Sequence, residues 1–365
     1  MAVVAGQGRS CVPKRATQRS RIAGIRMTVE YEHGLGDVPS LSVALCTYNG
    51  ARHLVEQLDS IAGQSVLPDE LVINDDRSTD ATGTILADFI GRVPFPVRVH
   101  VNAATRGAAG NFSDCIARCT GDVIVLSDQD DVWEPDRLER TQAAFVADPG
   151  LSYTFADAPL IDENDHPIGR KIFDSVPILR SDRARLMHGE ALLPLILRYG
   201  VLYGATMAVR RRDVVHALPV PAGWSHDEWL SLVLSATGHS ARMAPVMRYR
   251  QHAQQVVGAG NARLATTLQS ARNRTAGHYD VEAERQRTGL AAARNDPKLA
   301  TALAPHLVAK LRFIEDRAFI HKHRLTGAQR VLRHTFCGNY YRFAGGPRSI
   351  LKDIALMVTA HRRHG

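Results

Sequence analysis

From residue 41 onward, short apolar runs alternate with segments whose apolar residues recur every three to four positions. The run 41–47 reads as a strand, and 51–64 follows as an amphipathic helix with Leu54, Leu58 and Ile61 on one face. Residues 70–74 make a second strand. The polar loop Asp75-Asp76-Arg77-Ser78-Thr79-Asp80 then leads into a helix over 81–90, with Ser78 or Thr79 as its cap. A third strand spans 97–101, a third helix 110–119 and a fourth strand 123–126, and Pro135 opens a fourth helix over 136–147. Strand and helix alternating at this pitch predict an α/β fold with a doubly wound, mostly parallel sheet.

Further along, 151–155 and 204–209 read as strands, separated by a long irregular region over 157–195 of the kind that forms a functional loop or an insertion. A short helix is expected over 226–236 and a closing strand over 243–250. From 261 only helices are expected, over 281–294, 299–320 and 328–333, with stripes such as Leu307, Leu311 and Ile314 that suit core packing. The chain thus divides into an extension, 1–40, an α/β domain, 41–260, and a C-terminal helical extension, 261–365. The first part has no hydrophobic periodicity and reads as disordered. Its Arg-rich start suits an organelle transit peptide, or an upstream start codon with Met27 as the true beginning.

Composition changes this picture in one respect. Hydrophobic content of 45% and charged content of 22% over 365 residues are ordinary for a soluble globular protein. The net charge of +8 is divided unevenly, however, as +3 over 1–40, −7 over 41–260 and +12 over 261–365. The acidic body argues against nucleic acid as a partner. The basic tail suits peripheral contact with an anionic membrane face, or simply a solvated helical surface. Five cysteines, at 11, 46, 115, 119 and 337, form no Cys-x-x-Cys pair and fit a reducing cytosol. The most apolar stretch, 192–209, is broken by Pro194, Arg198, Gly200 and Gly204 and makes a poor membrane span. A cytoplasmic protein, peripheral at the inner membrane face, is the expectation.

Candidate chemistry falls where strands end, the side on which open α/β sheets bind ligands. Ser127-Asp128-Gln129-Asp130-Asp131-Val132-Trp133 places three carboxylates within four residues after the fourth strand. Carboxylates so crowded repel one another and suit a hard divalent cation, Mg²⁺ or Mn²⁺, which takes one or two carboxylates and completes its shell with substrate phosphates. Asp128 is placed to face a nucleoside sugar and Asp130 or Asp131 to bind the metal; the plain alternative is a solvated acidic turn. Thr47-Tyr48-Asn49-Gly50 ends the first strand and Asp75-Asp76 the second, where a carboxylate can accept from ribose hydroxyls or a base NH. Arg106 could neutralise a diphosphate. His226-Asp227-Glu228-Trp229 offers an acid beside a sugar-binding aromatic, Trp229, and Tyr249-Arg250-Gln251-His252 offers His252 to the metal or diphosphate.

Taken in order, these segments, together with Asn111-Phe112, resemble the family 2 glycosyltransferases, and within them the rhamnosyltransferase-like branch. The resemblance covers about residues 41–258. It implies a GT-A fold, a nucleotide-sugar donor (dTDP- or UDP-linked), a divalent metal, inversion at the anomeric carbon and a glycan or lipid-linked acceptor. By the same resemblance Thr47, Tyr48 and Asn49 line the nucleotide pocket, Asp76 contacts the base, Asp128 and Asp130 form the Asp-x-Asp motif, and Asp227 is the catalytic base. His226 stands where many members carry Glu, and Arg137-Leu138 where Lys-Leu is usual. Two other readings remain open, a non-catalytic nucleotide-sugar binding module and a nucleotidyltransferase. The second lacks the Gly-rich phosphate loop it would need near the first strand.

Overall fold

Runs of Val, Leu and Ile with no polar alternation bury both faces of a strand, which demands a sheet covered by helices on each side. The computed structural model describes residues 17–22, 25–30, 38–176, 178–189, 191–244, 246–253, 255 and 276–359. Within the segment expected to be disordered, β1 (Thr17–Ile22) and β2 (Ile25–Glu30) pair as an antiparallel hairpin. Next come β3 (Leu41–Thr47), β4 (Glu70–Asp75), β5 (Val97–Val101) and β6 (Val123–Ser127). β3, β4 and β6 are buried at every position. Each fully buried Leu, Val or Ile there contributes roughly 1.5–3 kcal/mol.

Between these strands run α1 (Leu54–Ala62), α2 (Thr82–Ile90) and α3 (Gly107–Arg118). α4 (Arg137–Ala147) follows the two-residue strand β7 (Val132–Trp133), and β8 (Leu151–Ala156) comes after it. With β11 (Ala208–Arg210) and β12 (His239–Met243) they form a seven-stranded sheet ordered β12-β8-β11-β6-β3-β4-β5. Only β11 runs antiparallel to its neighbours. The register sets Thr47 beside Asp75, Asp75 beside Val101 and Leu45 beside Ser127, so the polar ends of four strands emerge along one edge.

Several expected bounds change. Residues 157–195 are not irregular: β9 (Pro159–Ile161), β10 (Pro167–Lys171), α5 (Arg180–His188) and the start of α6 (Leu193–Tyr199) lie there. The expected strand 243–250 is two strands in two sheets. β12 extends the large sheet, and β13 (Met247–Arg250) joins a small one ordered β10-β9-β13-β7. Residues 204–206 form a 3-10 turn, and only Ala208–Arg210 is strand. Neither Ser78 nor Thr79 caps α2; both face Asn49, and Asp80 Oδ1 accepts from Thr82 N instead.

α7 (Arg211–Val214) and α8 (His226–Thr237) precede the C-terminal helices: α9 (Ala276–Asn295), α10 (Pro297–Ala302), α11 (Ala304–Lys322), α12 (Arg324–Phe336), α13 (Asn339–Phe343) and α14 (Pro347–Thr359). The helix expected over 299–320 is interrupted at Leu303, because Pro305 suits the first turn of a new helix better than the interior of an old one. Leu290, Leu299, Leu307, Phe313 and Tyr340 belong to the same apolar core as the sheet. No helix among the described residues is long and apolar enough to cross a membrane.

Much of the basic charge of these helices is spent inside the protein. Arg317 donates twice to Asp353, at 2.8 and 2.7 Å, and Tyr340 Oη donates to the same carboxylate at 2.7 Å, all buried. Arg330, Arg333 and His334 converge on Asp316, and Arg287 bridges Glu284 and Glu315. Removing one partner of a buried pair strands the other charge. Asp353→Ala is therefore expected to destabilise the protein by ~3–5 kcal/mol, read from denaturant unfolding, whereas Glu284→Ala on the surface changes stability by about 0–1 kcal/mol.

Candidate active site

Strand order reverses between β3 and β6: the chain proceeds from β3 to β4 and β5 on one side, then returns to lay β6 on the other. A crevice at the carboxyl ends follows from that reversal. The loops on its two sides are latched by Gln129, whose Oε1 accepts from Tyr48 N at 2.8 Å while its Nε2 donates to Tyr48 O at 3.1 Å. Gly50 leaves room for this latch, since a Cβ there would lie 2.2 Å from Gln129 Oε1 and displace its amide. Tyr48 is left exposed, and Asn49, at φ 48, accepts from Thr79 N at 2.8 Å.

Two residues expected to line a nucleotide pocket are instead its supports. Thr47 is buried and donates to Asp75 Oδ1 at 2.7 Å, tying two strand ends together. Asp76 is buried, with one oxygen accepting from Arg106 N and Asn102 Nδ2 and the other from Gly107 N, so it anchors the start of α3. Asn111, on α3, extends this network to Asn74 and Asn102. The Arg106 side chain turns along its own helix to Asp114 at 3.2 Å, away from the role in diphosphate binding expected of it.

The acidic cluster lies next to this crevice. Asp131 is 1% exposed; Oδ1 accepts from Arg250 N at 3.0 Å, and Oδ2 is buried with no hydrogen-bond partner. Burial, then the charges of Asp130 and Asp128, push its carboxyl well above the usual range. Asp128 is raised to about 8 by burial, then by Asp130 and Asp227. Asp130 Oδ2 meets His252 Nε2 at 2.8 Å. Against this negative charge stand two buried arginines. Arg250 donates through Nε to Asp130 O at 2.8 Å and reaches Asp165 at 2.8 Å. Arg137 donates to Leu126 O and Ala205 O and stacks 3.9 Å over Trp133. Burial lowers Arg137 to about 9 although Asp131 and Asp128 hold it up.

Asp227 joins from α8. It sits in the first turn of α8, where the helix dipole favours an anion; Oδ1 accepts from Glu228 N at 2.8 Å and Oδ2 from Gly204 N at 3.4 Å. Gly204 permits that approach, for a Cβ would lie 2.4 Å from His226 Nε2. His226 stacks on Phe112 with ring centres 3.9 Å apart. Burial lowers its pKa, with Asp227 opposing. Trp229 does not face a sugar: it is 1% exposed, packs edge-on against Trp224 and donates Nε1 to Ala217 O at 2.9 Å, because its position points into the core of α8. Glu228 is held by Arg285 of α9, and Trp224 Nε1 donates to Arg285 O at 2.7 Å.

Thus Asp128, Asp130, Asp131, Asp227 and His252 are brought together, with Tyr48 and Asn49 at the neighbouring strand end. Trp229 and Arg106 are not. Gln129, Arg137, Arg250 and Arg285 were not singled out, although Arg250 stands inside the Tyr249-Arg250-Gln251-His252 segment. Among the described residues no three His, Cys, Asp or Glu form a finished metal cage. Asp130, His252 and the unpartnered Oδ2 of Asp131 nevertheless fit a cation that draws its remaining ligands from phosphate oxygens.

A carboxyl whose folded pKa lies above its unfolded value of ~3.9 favours folding at acid pH. That contribution is lost as pH rises from ~4 through about 8. Asp128→Asn is expected to flatten this decline and to raise the Tm of the ligand-free protein at the alkaline end. Thermal melts across the window check it; a pH profile identical to wild type would show that Asp128 is not held protonated.

Residues 42–216 match the model of the family described as Glycosyl transferase family 2. The chain is 32% identical over 139 residues to EpsE of Bacillus subtilis, named as a glycosyltransferase, covering 38% of this chain and 50% of EpsE. It is 28% identical over 134 residues to TuaG of the same organism, named as a glycosyltransferase of teichuronic acid biosynthesis, covering 37% of this chain and 52% of TuaG. The chain therefore spans about half the length of these curated relatives. Among solved structures, Staphylococcus aureus TarS 1-349 in complex with UDP-GlcNAc superposes with a TM-score of 0.52 at 15% identity, over 89% of this chain and 92% of that one. The strand order, the crevice at its reversal and these matches agree that residues 42–216 form a glycosyltransferase domain on the GT-A fold, similar to those of family 2.

Proposed function

We propose that the protein is an inverting, metal-dependent glycosyltransferase. It moves a sugar, with rhamnose as the first candidate, from a dTDP- or UDP-linked donor to a hydroxyl of a glycan or lipid-linked acceptor in cell-surface polysaccharide synthesis. Residues 41–260 are its catalytic domain and 261–365 a helical region that braces it. The setting is the cytoplasmic face of the membrane. One observation carries this reading: a carboxylate at a helix N-terminus, Asp227, shares the electrostatic environment of the strand-end acids Asp128 and Asp130.

In this reading the nucleoside lies over Tyr48 and Asn49 at the end of β3, on a platform whose shape is fixed by Thr47, Asp76 and Gln129. Asp128 accepts hydrogen bonds from donor hydroxyls. Asp130, His252 and Oδ2 of Asp131 would hold the cation, with Oδ1 of Asp131 and the Asp130 carbonyl fastened to Arg250. When bound, Mg²⁺ or Mn²⁺ neutralises the departing nucleoside diphosphate and takes the place of a general acid. Asp227 accepts the proton of the acceptor hydroxyl as its oxygen attacks the anomeric carbon from the face opposite the diphosphate. One displacement with no covalent intermediate inverts that carbon. A binding module would have no use for a base at this place, which argues against that alternative.

Asp227→Asn is expected to lower kcat by ~10²- to 10⁴-fold with donor KM little changed. Donor hydrolysis across a panel of UDP- and dTDP-sugars with Mn²⁺ supplies the assay, and wild-type turnover in the variant would refute the base assignment. Because Arg285 grips the residue next to Asp227, Arg285→Ala is expected to lower kcat by ~10- to 100-fold through misplacement, with partial recovery in Arg285→Lys and no change in donor KM. A loss of kcat absent from both variants would mean that the C-terminal helices do not position the base.

A further inference from the structure

Five of the fifteen exposed large apolar side chains among the described residues fall between 332 and 354. The helices that carry them explain why they face outward. On α12, Val331 and His334 are buried, and His334 is fastened to Asp316; Leu332 and Phe336, one turn apart, are left outside, Phe336 being 86% exposed. On α14, Asp353 is pinned into the core by Arg317 and Tyr340, with Ile350 packed beside it. Leu351, 67% exposed, and Ile354 consequently point away. The two helices pack against each other, and Tyr341 lies on the chain between them.

The surroundings of this apolar surface are net positive. Between residues 324 and 359 there are six Arg and Lys and a single acid, Asp353, which is buried in its own ion pair; Arg330 and Arg333 are paired with Asp316 of α11, and Arg342 and Arg348 are exposed. Arg348 is exposed at the start of α14, and the sequence continues past 359 with Arg362 and Arg363. Apolar side chains projecting from helices edged by arginine suit the boundary between lipid headgroups and acyl chains, where both kinds of contact are satisfied at once. A polar protein surface would satisfy only the charges.

We propose that the outward faces of α12 and α14 form a docking surface for an anionic lipid bilayer, with Phe336, Leu332, Leu351 and Ile354 entering the interface and arginines meeting the headgroups. This sharpens the membrane-face setting proposed above by naming the surface and its mode, partial insertion in place of charge attraction alone. Binding is measured without turnover, so its failure leaves the catalytic assignment standing.

The experiment is sedimentation of the full chain with vesicles of phosphatidylcholine, with and without phosphatidylglycerol. Wild type is expected in the pellet with anionic vesicles, weakened but not released by high salt. Phe336→Ser/Leu351→Ser is expected to lose roughly ten-fold or more in partitioning, with unchanged thermal unfolding and unchanged donor hydrolysis. Arg348→Glu is expected to weaken binding to the anionic vesicles. Three results would overturn the proposal. One is no pelleting with anionic vesicles at any salt, and another is full binding by the double variant. The third is a wild-type dimer in solution that the double variant converts to monomer with no vesicle binding in either, which would assign the face to a second copy of this chain.

Discussion

Three carboxylates at the end of β6 have to coexist with very little water, and much of the domain answers to that requirement. Asp131 is buried with one oxygen unpartnered, and the Asp128 carboxyl is raised above the ordinary carboxylate range by burial first and then by the charges of Asp130 and Asp227. Two buried arginines compensate from below and behind. Arg137 is fixed by backbone carbonyls and Trp133, and Arg250 by the Asp130 peptide and Asp165. Without those cations the cluster would cost the several kcal/mol that unpaired buried charge costs. With them the crowded acids are partly compensated.

The small sheet exists to deliver this compensation. β13 pairs with β7 directly after the acids and with β9 on its other edge, so Arg250 and His252 arrive at Asp131 and Asp130 across about 120 residues of chain. α8 brings Asp227 to the same cleft, and its own position is braced by Arg285 and Trp224 from the interface with α9. The basic C-terminal helices thus have two distinct charge roles: most of their arginines hold the structure together internally, and only what remains is available to a surface.

The strand-end acids also show where side chains act by support. Thr47 and Asp76 belong to the motif by order and spacing, yet their polar atoms are committed to Asp75 and to the first peptides of α3. The ends of β3 and β4 and the start of α3 are therefore tied together by hydrogen bonds within the protein.

The sequence by itself determined the parallel core and the order of the polar segments at the strand ends. Buried parallel strands read as nearly unbroken apolar runs, and 41–47 coincides with β3 for that reason, whereas 97–101 coincides with β5, a half-buried edge strand, through the alternation of Val97, Val99 and Val101 with Arg98 and His100. Asp128, Asp130, Asp227 and His252 are candidates by residue type and order alone, and the structure sets them in one cluster. Only the tertiary structure decided which polar residue faces the cleft. Residues 229–234 of α8 are buried without a break, while Asp227 stands in the first turn, where the end of the helix meets Gly204 and the strand-end acids. It also decided that 243–250 is two strands, that 157–195 holds β9 and β10, and that Arg250, Arg137 and Arg285 are the counterions. Those facts depend on pairings between residues scores of positions apart, and local hydrophobic periodicity carries no record of a distant partner.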